Sequence, residues 1–249
     1  MRRLFTITVL MTLGWVGSAA ATTVSTTLTP DTVSSASTAS VSIAGVTGFS
    51  TLPSSLELVF QAGFTSSAQS VSVLCTASQA SSSTCPTTSQ IGTGSVGISL
   101  FGSPSTVPVT LYLGEPLDPG DIASVVMSGM LDGTNLTVSG RLLVPAQGGL
   151  ELLFAPFPSV PVTLSSLSLS FGASQTVTKT VTKTVTKTVF TGKGKHRHKK
   201  KIKKKVKKIV RTVYSLITTP PSCSGTWAGA AILTYTTGSI PLPLSIPCT

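Results

Sequence analysis

The residues of this chain best suited to chemistry are the cations of one short run. Between Thr191 and Arg211 the sequence reads TGKGKHRHKKKIKKKVKKIVR. Such a run attracts polyanions, because each lysine or arginine close to an anionic surface contributes about 1 kcal/mol of binding free energy. The candidate polyanion-binding residues are therefore Lys193, Lys195, Arg197, Lys199, Lys200, Lys201, Lys203, Lys204, Lys205, Lys207, Lys208 and Arg211.

The charge of the chain is divided between two regions. Residues 179–211 contain 15 of the 18 basic residues. Beyond the first three residues, Arg141 is the only other basic residue, and it is set against all 7 acidic residues. The remainder of the chain is therefore acidic. An asymmetry of this kind concerns partners and solubility, and it does not specify a fold.

The composition of the basic run favours some partners over others. Aromatic side chains on which bases could stack are confined to its margins, at Phe190 and Tyr214, so sequence-specific nucleic-acid binding is disfavoured. The predicted partners are anionic polymers of the cell envelope or matrix, with anionic lipid as a second partner class. A cationic segment acting on anionic bilayers is the alternative function. A solvated, solubilising segment without a specific partner also fits this composition.

The other motifs that could carry chemistry lack the context that they need. Residues 92–97 spell the glycine pattern of dinucleotide sites, but an alternating, strand-like run follows where a helix should begin. The only histidines, His196 and His198, lie among basic residues, which repel a metal ion. No G-x-S-x-G sequence is present. The sequence thus predicts no catalytic residue, no cofactor and no metal site, and a hydrolase is the weaker alternative.

The rest of the chain alternates between apolar and small polar residues, which is typical of half-buried strands. Turn sequences separate these runs, among them Asp118-Pro119-Gly120, Asp132-Gly133 and Gln147-Gly148-Gly149. The pattern predicts an all-β, antiparallel β-sandwich in one domain, or two smaller sandwiches divided near residue 86. The predicted strands lie at 41–43, 71–73, 96–100, 107–113, 150–154, 160–164 and 167–171.

Four cysteines suggest that the protein matures in an oxidising compartment. Cys75, Cys85, Cys223 and Cys248 make an even count, which in an exported chain favours two disulfides over metal ligation. Three connectivities are open. The pairing of neighbours, Cys75 with Cys85 and Cys223 with Cys248, closes two short loops, and we predict this pairing.

The first 21 residues have the features of a signal peptide. Two arginines precede an apolar run at 4–17, and small residues follow at 18–21. The apolar run is shorter than the roughly 20 residues of a membrane-spanning helix. We therefore expect a secreted or cell-surface protein that begins near residue 22.

One sequence resembles the signature of a known family. Residues 85–93, CPTTSQIGT, are similar to the CPxxSxIGT signature of a repetitive secreted domain found in large extracellular proteins of soil actinobacteria. The resemblance covers roughly residues 50–175 and 222–248. It implies an extracellular β domain and no particular activity. The chain departs from that family in having a single unit and a basic insert.

The basic insert, residues 172–221, interrupts the predicted sandwich domain of residues 22–171 and 222–249. It opens with three TVTK repeats. In a strand, Val177, Lys179 and the residues that continue their alternation would share one face, and threonines would fill the other. The returning segment fits either a strand or an amphipathic helix. A long hairpin, a cationic helix and a disordered segment are all open.

Overall fold

Apolar and polar residues alternate along most strands of the protein, and the apolar ones face inward. The computed structural model describes residues 22–46, 51–100, 102–157, 162–191 and 198–249. In the last strand, Leu242, Leu244 and Ile246 are buried, while the prolines and the serine between them are exposed. This alternation encloses an apolar core between facing parts of the sheet.

The described residues form thirteen strands and very little helix. One α-helix, α1 (Ala77–Ser81), and two single 3₁₀ turns (Ala68–Ser70 and Thr87–Ser89) stand between strands. The strands are β1 (Thr23–Thr29), β2 (Thr38–Ala44), β3 (Ser55–Phe60), β4 (Gln90–Leu100), β5 (Ser103–Gly114), β6 (Ala123–Leu131), β7 (Thr134–Leu143), β8 (Leu150–Phe154), β9 (Val162–Phe171), β10 (Ser174–Thr191), β11 (His198–Ser215), β12 (Thr226–Tyr235) and β13 (Gly238–Pro247).

Eleven of these strands belong to one antiparallel sheet that almost closes on itself. Its order is β1-β2-β9-β4-β5-β6-β7-β8-β3-β12-β13, and its two end strands lie side by side. These end strands are not joined by a strand ladder. Three prolines of β13, Pro241, Pro243 and Pro247, have no N–H to donate, so the free edge of β13 is a poor partner for β1.

Three aromatic residues pack against one another in the core. The Trp227 ring meets Phe64 edge-on at 5.5 Å between ring centroids, and Phe64 packs against Phe60 at 5.3 Å. The indole nitrogen of Trp227 donates a hydrogen bond to the carbonyl of Ser222 at 2.9 Å. The one polar group of this buried side chain is therefore satisfied.

The structure confirms the all-β antiparallel fold and changes some of the predicted strands. Residues 71–73 are irregular, and Val73 is exposed. Residues 162–164 and 167–171 belong to the single strand β9, since an irregularity in its pairing with β4 shifts the alternation by one residue. Residue 160 lies outside the described residues. Both disulfides have the predicted pairing, Cys75–Cys85 and Cys223–Cys248.

Two of the predicted turns have the backbone conformations that their sequences favour. Asp132 and Gly133 both have positive φ, at 48° and 78°, and they join β6 to β7 in a two-residue hairpin turn. Gly120 has a φ of 104°, and the Asp121 N–H bonds to the Asp118 carbonyl across the Pro119-Gly120 pair.

The glycines of residues 92–97 serve the packing of two strands. Gly92, Gly94 and Gly97 lie within β4, beside β9. A Cβ atom on Gly92 or Gly94 would overlap the carbonyl oxygen of Ser170 or Ser168 in β9. The absence of a side chain therefore lets the two strands approach closely.

Arg141 holds the loop between β5 and β6. Its Nη2 and Nε atoms donate to the carboxylate of Asp121 at 2.7 and 3.0 Å, and its Nη1 lies 3.2 Å from Asp118 Oδ2. The Asp121 side chain is only 1% exposed. The hydrogen bond from Arg141 lowers the pKa of Asp121 below its ordinary value of 3.8, against an opposing effect of burial.

This pair predicts a pH dependence of stability. Because the folded-state pKa of Asp121 is lower than its unfolded value, its ionised form stabilises the protein above about pH 4. This stabilisation is lost as the pH falls through the folded-state pKa. Arg141→Met should lower the melting temperature at pH 7, and its difference from the wild type should shrink at pH 3. Thermal unfolding followed by circular dichroism at both pH values measures this.

Asp118→Asn is the matched control, because Asp118 is 58% exposed and its ion pair with Arg141 is solvated. We expect this variant to follow the wild type at both pH values. An Arg141→Met variant with the same acid sensitivity as the wild type would contradict the role of the Arg141–Asp121 pair.

Candidate polyanion-binding arm

The basic insert contains a hairpin that stands apart from the main sheet. β10 and β11 form their own two-stranded sheet, which we call the arm (residues 174–191 and 198–215). The returning segment is a strand from His198 onward, so the long hairpin is the alternative that the structure supports. Each strand has 18 residues and extends about 60 Å.

The arm is anchored to the body at its base. The N–H of Leu216 donates to the Ala173 carbonyl at 2.8 Å, and Ser67 donates from its N–H to the Ser215 carbonyl at 3.0 Å. The Gln175 amide nitrogen, turned towards the segment 69–71, donates to two carbonyls at 3.1 and 3.0 Å. Residues 216 and 217 are buried in the core, so the protruding part of the insert ends near residue 215.

One face of the arm alternates lysine with aliphatic residues, and we call it the valine–lysine face. Directly paired residues of two antiparallel strands lie on the same face. The three TVTK lysines of β10 each lie opposite an aliphatic residue of β11, and Val181 and Val185 lie opposite lysines. The pairs are Lys179 with Val210, Val181 with Lys208, Lys183 with Val206, Val185 with Lys204, and Lys187 with Ile202.

The opposite face carries a row of threonines beside a row of cations, and we call it the threonine–lysine face. All threonines from 176 to 188 in β10 lie on it, as the repeat predicts. In β11, alternate residues supply the cations, which follow one another at about 6.6 Å from residue 201 to residue 207, and Ile209 then separates Lys207 from Arg211. These cations are Lys201, Lys203, Lys205, Lys207 and Arg211.

Electrostatic repulsion explains the register of the arm. In the observed pairing, no two basic residues lie directly opposite each other. A shift of two residues in either direction would place Lys183 opposite Lys204 or Lys208. Like charges directly across a strand pair are destabilising, so the spacing of the lysines selects this register.

The charge of the arm is not balanced by the body. Among the described residues, the side-chain ion pairs are those of Arg141 with Asp118 and Asp121. The arm cations whose side chains are described are all exposed: Lys179, Lys183, Lys187, Lys201, Lys203, Lys204, Lys205, Lys207, Lys208 and Arg211. Such an array has a strong positive potential and remains available to an external anion.

The candidate residues chosen from sequence are distributed over both faces of the arm. Lys204 and Lys208 lie on the valine–lysine face, whereas the other described candidates lie on the threonine–lysine face. The backbones of residues 199 and 200 continue β11, and Lys193, Lys195 and Arg197 lie outside the described residues. The TVTK lysines were not among the candidates, although their four-residue spacing was visible in the sequence.

The body contains an apolar cavity, in contrast to the charged surface of the arm. An apolar cavity of about 90 Å³ lies inside the main sheet, between residues such as Leu56, Ile98 and Met127. No titratable side chain lines it. Across the described ranges, no three His, Cys, Asp or Glu side chains are grouped as metal ligands would be. The strongest feature for binding is therefore the arm.

Comparisons with known proteins give no relative from which a role could be taken. No family model matches the chain, and neither the curated proteins nor the solved structures contain a match. In the part of the chain that the structure describes, no helix is both long and apolar enough to span a membrane.

The register of the arm generates a prediction about charge placement. Val206→Lys puts a lysine directly opposite Lys183 and should destabilise the middle of the arm by about 0.5 kcal/mol. The amides of residues 181, 183 and 185, which are bonded to β11, should then exchange with solvent about two- to threefold faster. Amide hydrogen exchange of the whole protein, read by mass spectrometry, measures this change.

Ile209→Lys is the matched control, because it also replaces an exposed aliphatic residue of β11 by lysine but lies opposite Thr180. It adds the same charge without a like-charge pair and should leave the exchange of 181–185 nearly unchanged. Equal effects of the two variants would show that total charge, and not register, governs the arm.

Proposed function

We propose that this protein is an exported, non-enzymatic β protein that attaches through its arm to anionic polymers of the cell envelope or surrounding matrix. The observation that supports this most is the array of exposed cations that no carboxylate of the described body balances. An anionic polymer would supply the missing negative charge, and it would release its counterions on binding.

The shape of the arm favours a long ligand. The cations are spread along about 60 Å of ribbon, so a small anion could contact only a few of them. A linear polymer with repeated phosphate or carboxylate groups could follow the whole row. The threonine hydroxyls beside the lysines of the threonine–lysine face could donate hydrogen bonds to the same groups.

The distribution of apolar residues favours a soluble polymer over a bilayer. Insertion into a membrane surface needs a face that is continuously apolar. On the valine–lysine face, every aliphatic residue of the arm except Val177 lies opposite a lysine, and its neighbours on the same strand face are mostly lysines. The arm therefore has no apolar stripe free of charge.

Export agrees with the covalent structure of the body. Two disulfides are typical of proteins that mature in an oxidising, extracellular environment. The signal-like first 21 residues, which lie outside the described part, support export from sequence alone. The resemblance to a repetitive secreted domain agrees with it.

Removal of the arm tests the proposal. Gln175 and Tyr214 are cross-strand partners, so residues 176–213 can be replaced by Asn-Gly, a two-residue hairpin turn. We expect the shortened protein to keep its melting temperature within a few degrees, because the core lies in the body and loop length has only a small effect on stability. It should no longer bind a glycerol-phosphate polymer in isothermal titration calorimetry.

The salt dependence of the intact protein completes this test. Its affinity for the glycerol-phosphate polymer should fall by about a hundredfold or more between 50 and 200 mM salt, as the release of counterions requires. Dextran, which is uncharged, should not bind. If the shortened protein binds the polymer as well as the intact one does, the body holds the site and the proposal is wrong.

Two matched variants test which face of the arm binds the polymer. Each replaces four lysines by glutamine, so both remove the same charge. We expect the larger loss of affinity when the threonine–lysine face is neutralised, because its cations follow one strand in an unbroken row beside hydroxyl groups. The two sets are Lys201, Lys203, Lys205 and Lys207 on the threonine–lysine face, and Lys179, Lys183, Lys204 and Lys208 on the valine–lysine face.

A vesicle assay separates the alternative function from this one. Vesicles with anionic headgroups present phosphate groups and a hydrocarbon interior together. Binding without leakage would agree with recognition of the anionic groups alone. Leakage of a trapped dye at low protein concentration, lost on removal of the arm, would show that the protein acts on bilayers instead.

A further inference from the structure

The arm leaves two strand edges without partners among the described residues. β10 and β11 pair only with each other, so each has a row of outward N–H and C=O groups along most of its length. An exposed edge of this length is a template for pairing with another strand, and proteins usually protect such edges with charge, proline or a covering element.

The two edges are protected to different degrees. β11 carries seven described cations between residues 201 and 211, whereas β10 carries a lysine only at every fourth position, at Lys179, Lys183 and Lys187. The remaining residues of the repeat are threonine and valine, which favour strands. The edge of β10 is therefore the one open to pairing.

The hydrogen bonds at the base show which backbone groups of β10 point outward. The N–H of Leu216 donates to the carbonyl of Ala173, so this pair belongs to the bonded type. Bonded and non-bonded pairs alternate along an antiparallel ladder. The even-numbered residues of β10, which are all threonines between 176 and 188, thus direct their backbone groups away from β11. Ser215 is paired with the even-numbered Ser174, and its carbonyl points outward and accepts a hydrogen bond from Ser67, as expected for a non-bonded pair.

We propose that β10 pairs antiparallel with β10 of a second copy of this chain, about a twofold axis at Thr182. The two arms then form one four-stranded sheet in the order β11–β10–β10–β11. Every bonded pair across the new junction between residues 176 and 188 joins two threonines. Cross-strand threonine pairs are favourable, and their outward N–H and C=O groups satisfy each other.

The lysine spacing supports this alignment. With Thr182 opposite Thr182 of the second copy, Lys183 lies opposite Val181 and Lys179 lies opposite Val185. The new junction thus repeats the pattern that β10 already makes with β11, in which each lysine of β10 lies opposite an aliphatic residue. A shift of two residues would place Lys179 opposite Lys183, which is disfavoured.

The antiparallel direction also keeps the two bodies apart. Each arm leaves its body at residue 174, so the bodies lie at opposite ends of the shared sheet, with the two residues 174 about 50 Å apart. Parallel pairing of the two β10 strands would bring both bodies to the same end of the shared sheet. It would also place each lysine opposite the same lysine of the second copy.

This inference goes beyond the proposed function and does not depend on it. The arms repel each other, and salt screens that repulsion. Higher salt should therefore strengthen the pairing of two copies, whereas it should weaken the binding of a polyanion. The two behaviours can be separated in the same protein by their opposite dependence on salt.

Thr182→Pro tests the pairing. Proline removes the outward N–H at the centre of the junction but leaves the inward bonds to β11. Sedimentation equilibrium of the disulfide-bonded protein should show a dimer that tightens with salt. Because both central donors are lost at once, Thr182→Pro should weaken it by about tenfold or more. Unchanged hydrogen exchange at residues 181 and 183 would show that the arm itself is intact.

Lys207→Pro is the matched control, because Lys207 lies opposite Thr182 and its N–H points outward from the other edge. The Lys207→Pro variant should dimerise at least as well as the wild type, because the loss of a positive charge reduces the repulsion between the two arms. A nitroxide at Thr182→Cys should give a short distance between copies, and one at Ser174→Cys a distance of about 50 Å.

Three results would overturn the inference. The first is a protein that stays monomeric up to about 0.5 M salt, where the screening length is only a few ångströms. The second is a dimer that Lys207→Pro weakens as much as Thr182→Pro does. The third is a short distance between nitroxides at Ser174→Cys, which would indicate parallel arms or contact between the bodies.

Discussion

The need to satisfy or protect the edges of strands is the constraint on which the rest of this structure depends. A protein made almost entirely of strands has backbone donors and acceptors wherever a sheet ends. The body meets this constraint by curving one sheet until its end strands lie side by side. On β13, Pro241, Pro243 and Pro247 remove donors from the remaining edge. The arm meets it with positive charge, which is dense on β11 and sparse on β10.

Charge therefore has two roles in the arm. Repulsion between opposite lysines selects the register of β10 and β11 and protects the edge of β11 from pairing. The same cations form the surface to which we assign the binding of an anionic polymer. Because the apolar core belongs to the body, the arm can carry this charge at little cost to the stability of the fold.

Parts of the fold and the site could be predicted from the sequence because they depend on local patterns. Alternation predicted strands such as β2 and β8, and the Asp132-Gly133 pair predicted a hairpin turn. The TVTK spacing alone places the threonines of β10 on one face and its valines and lysines on the other, whereas the cations beside the threonines come from β11 and depend on the register. The irregular segment 71–73 was misjudged, since two valines in alternation cannot show whether a neighbouring strand is available to pair with them.

By itself, the sequence determined the all-β class and the separation of charge between body and arm, whereas it favoured the pairing of neighbouring cysteines without excluding the other two connectivities. These properties follow from periodicity, spacing and composition, which are local. Only the tertiary structure decided that the returning basic segment is a strand, because its pattern fits a helix and a strand equally. Pairing with β10 satisfies its backbone and places its lysines mostly opposite threonines and valines, with none opposite another cation. The order of the main sheet likewise depends on contacts between residues far apart in the chain, such as Phe60 and Gly229, which no local pattern contains.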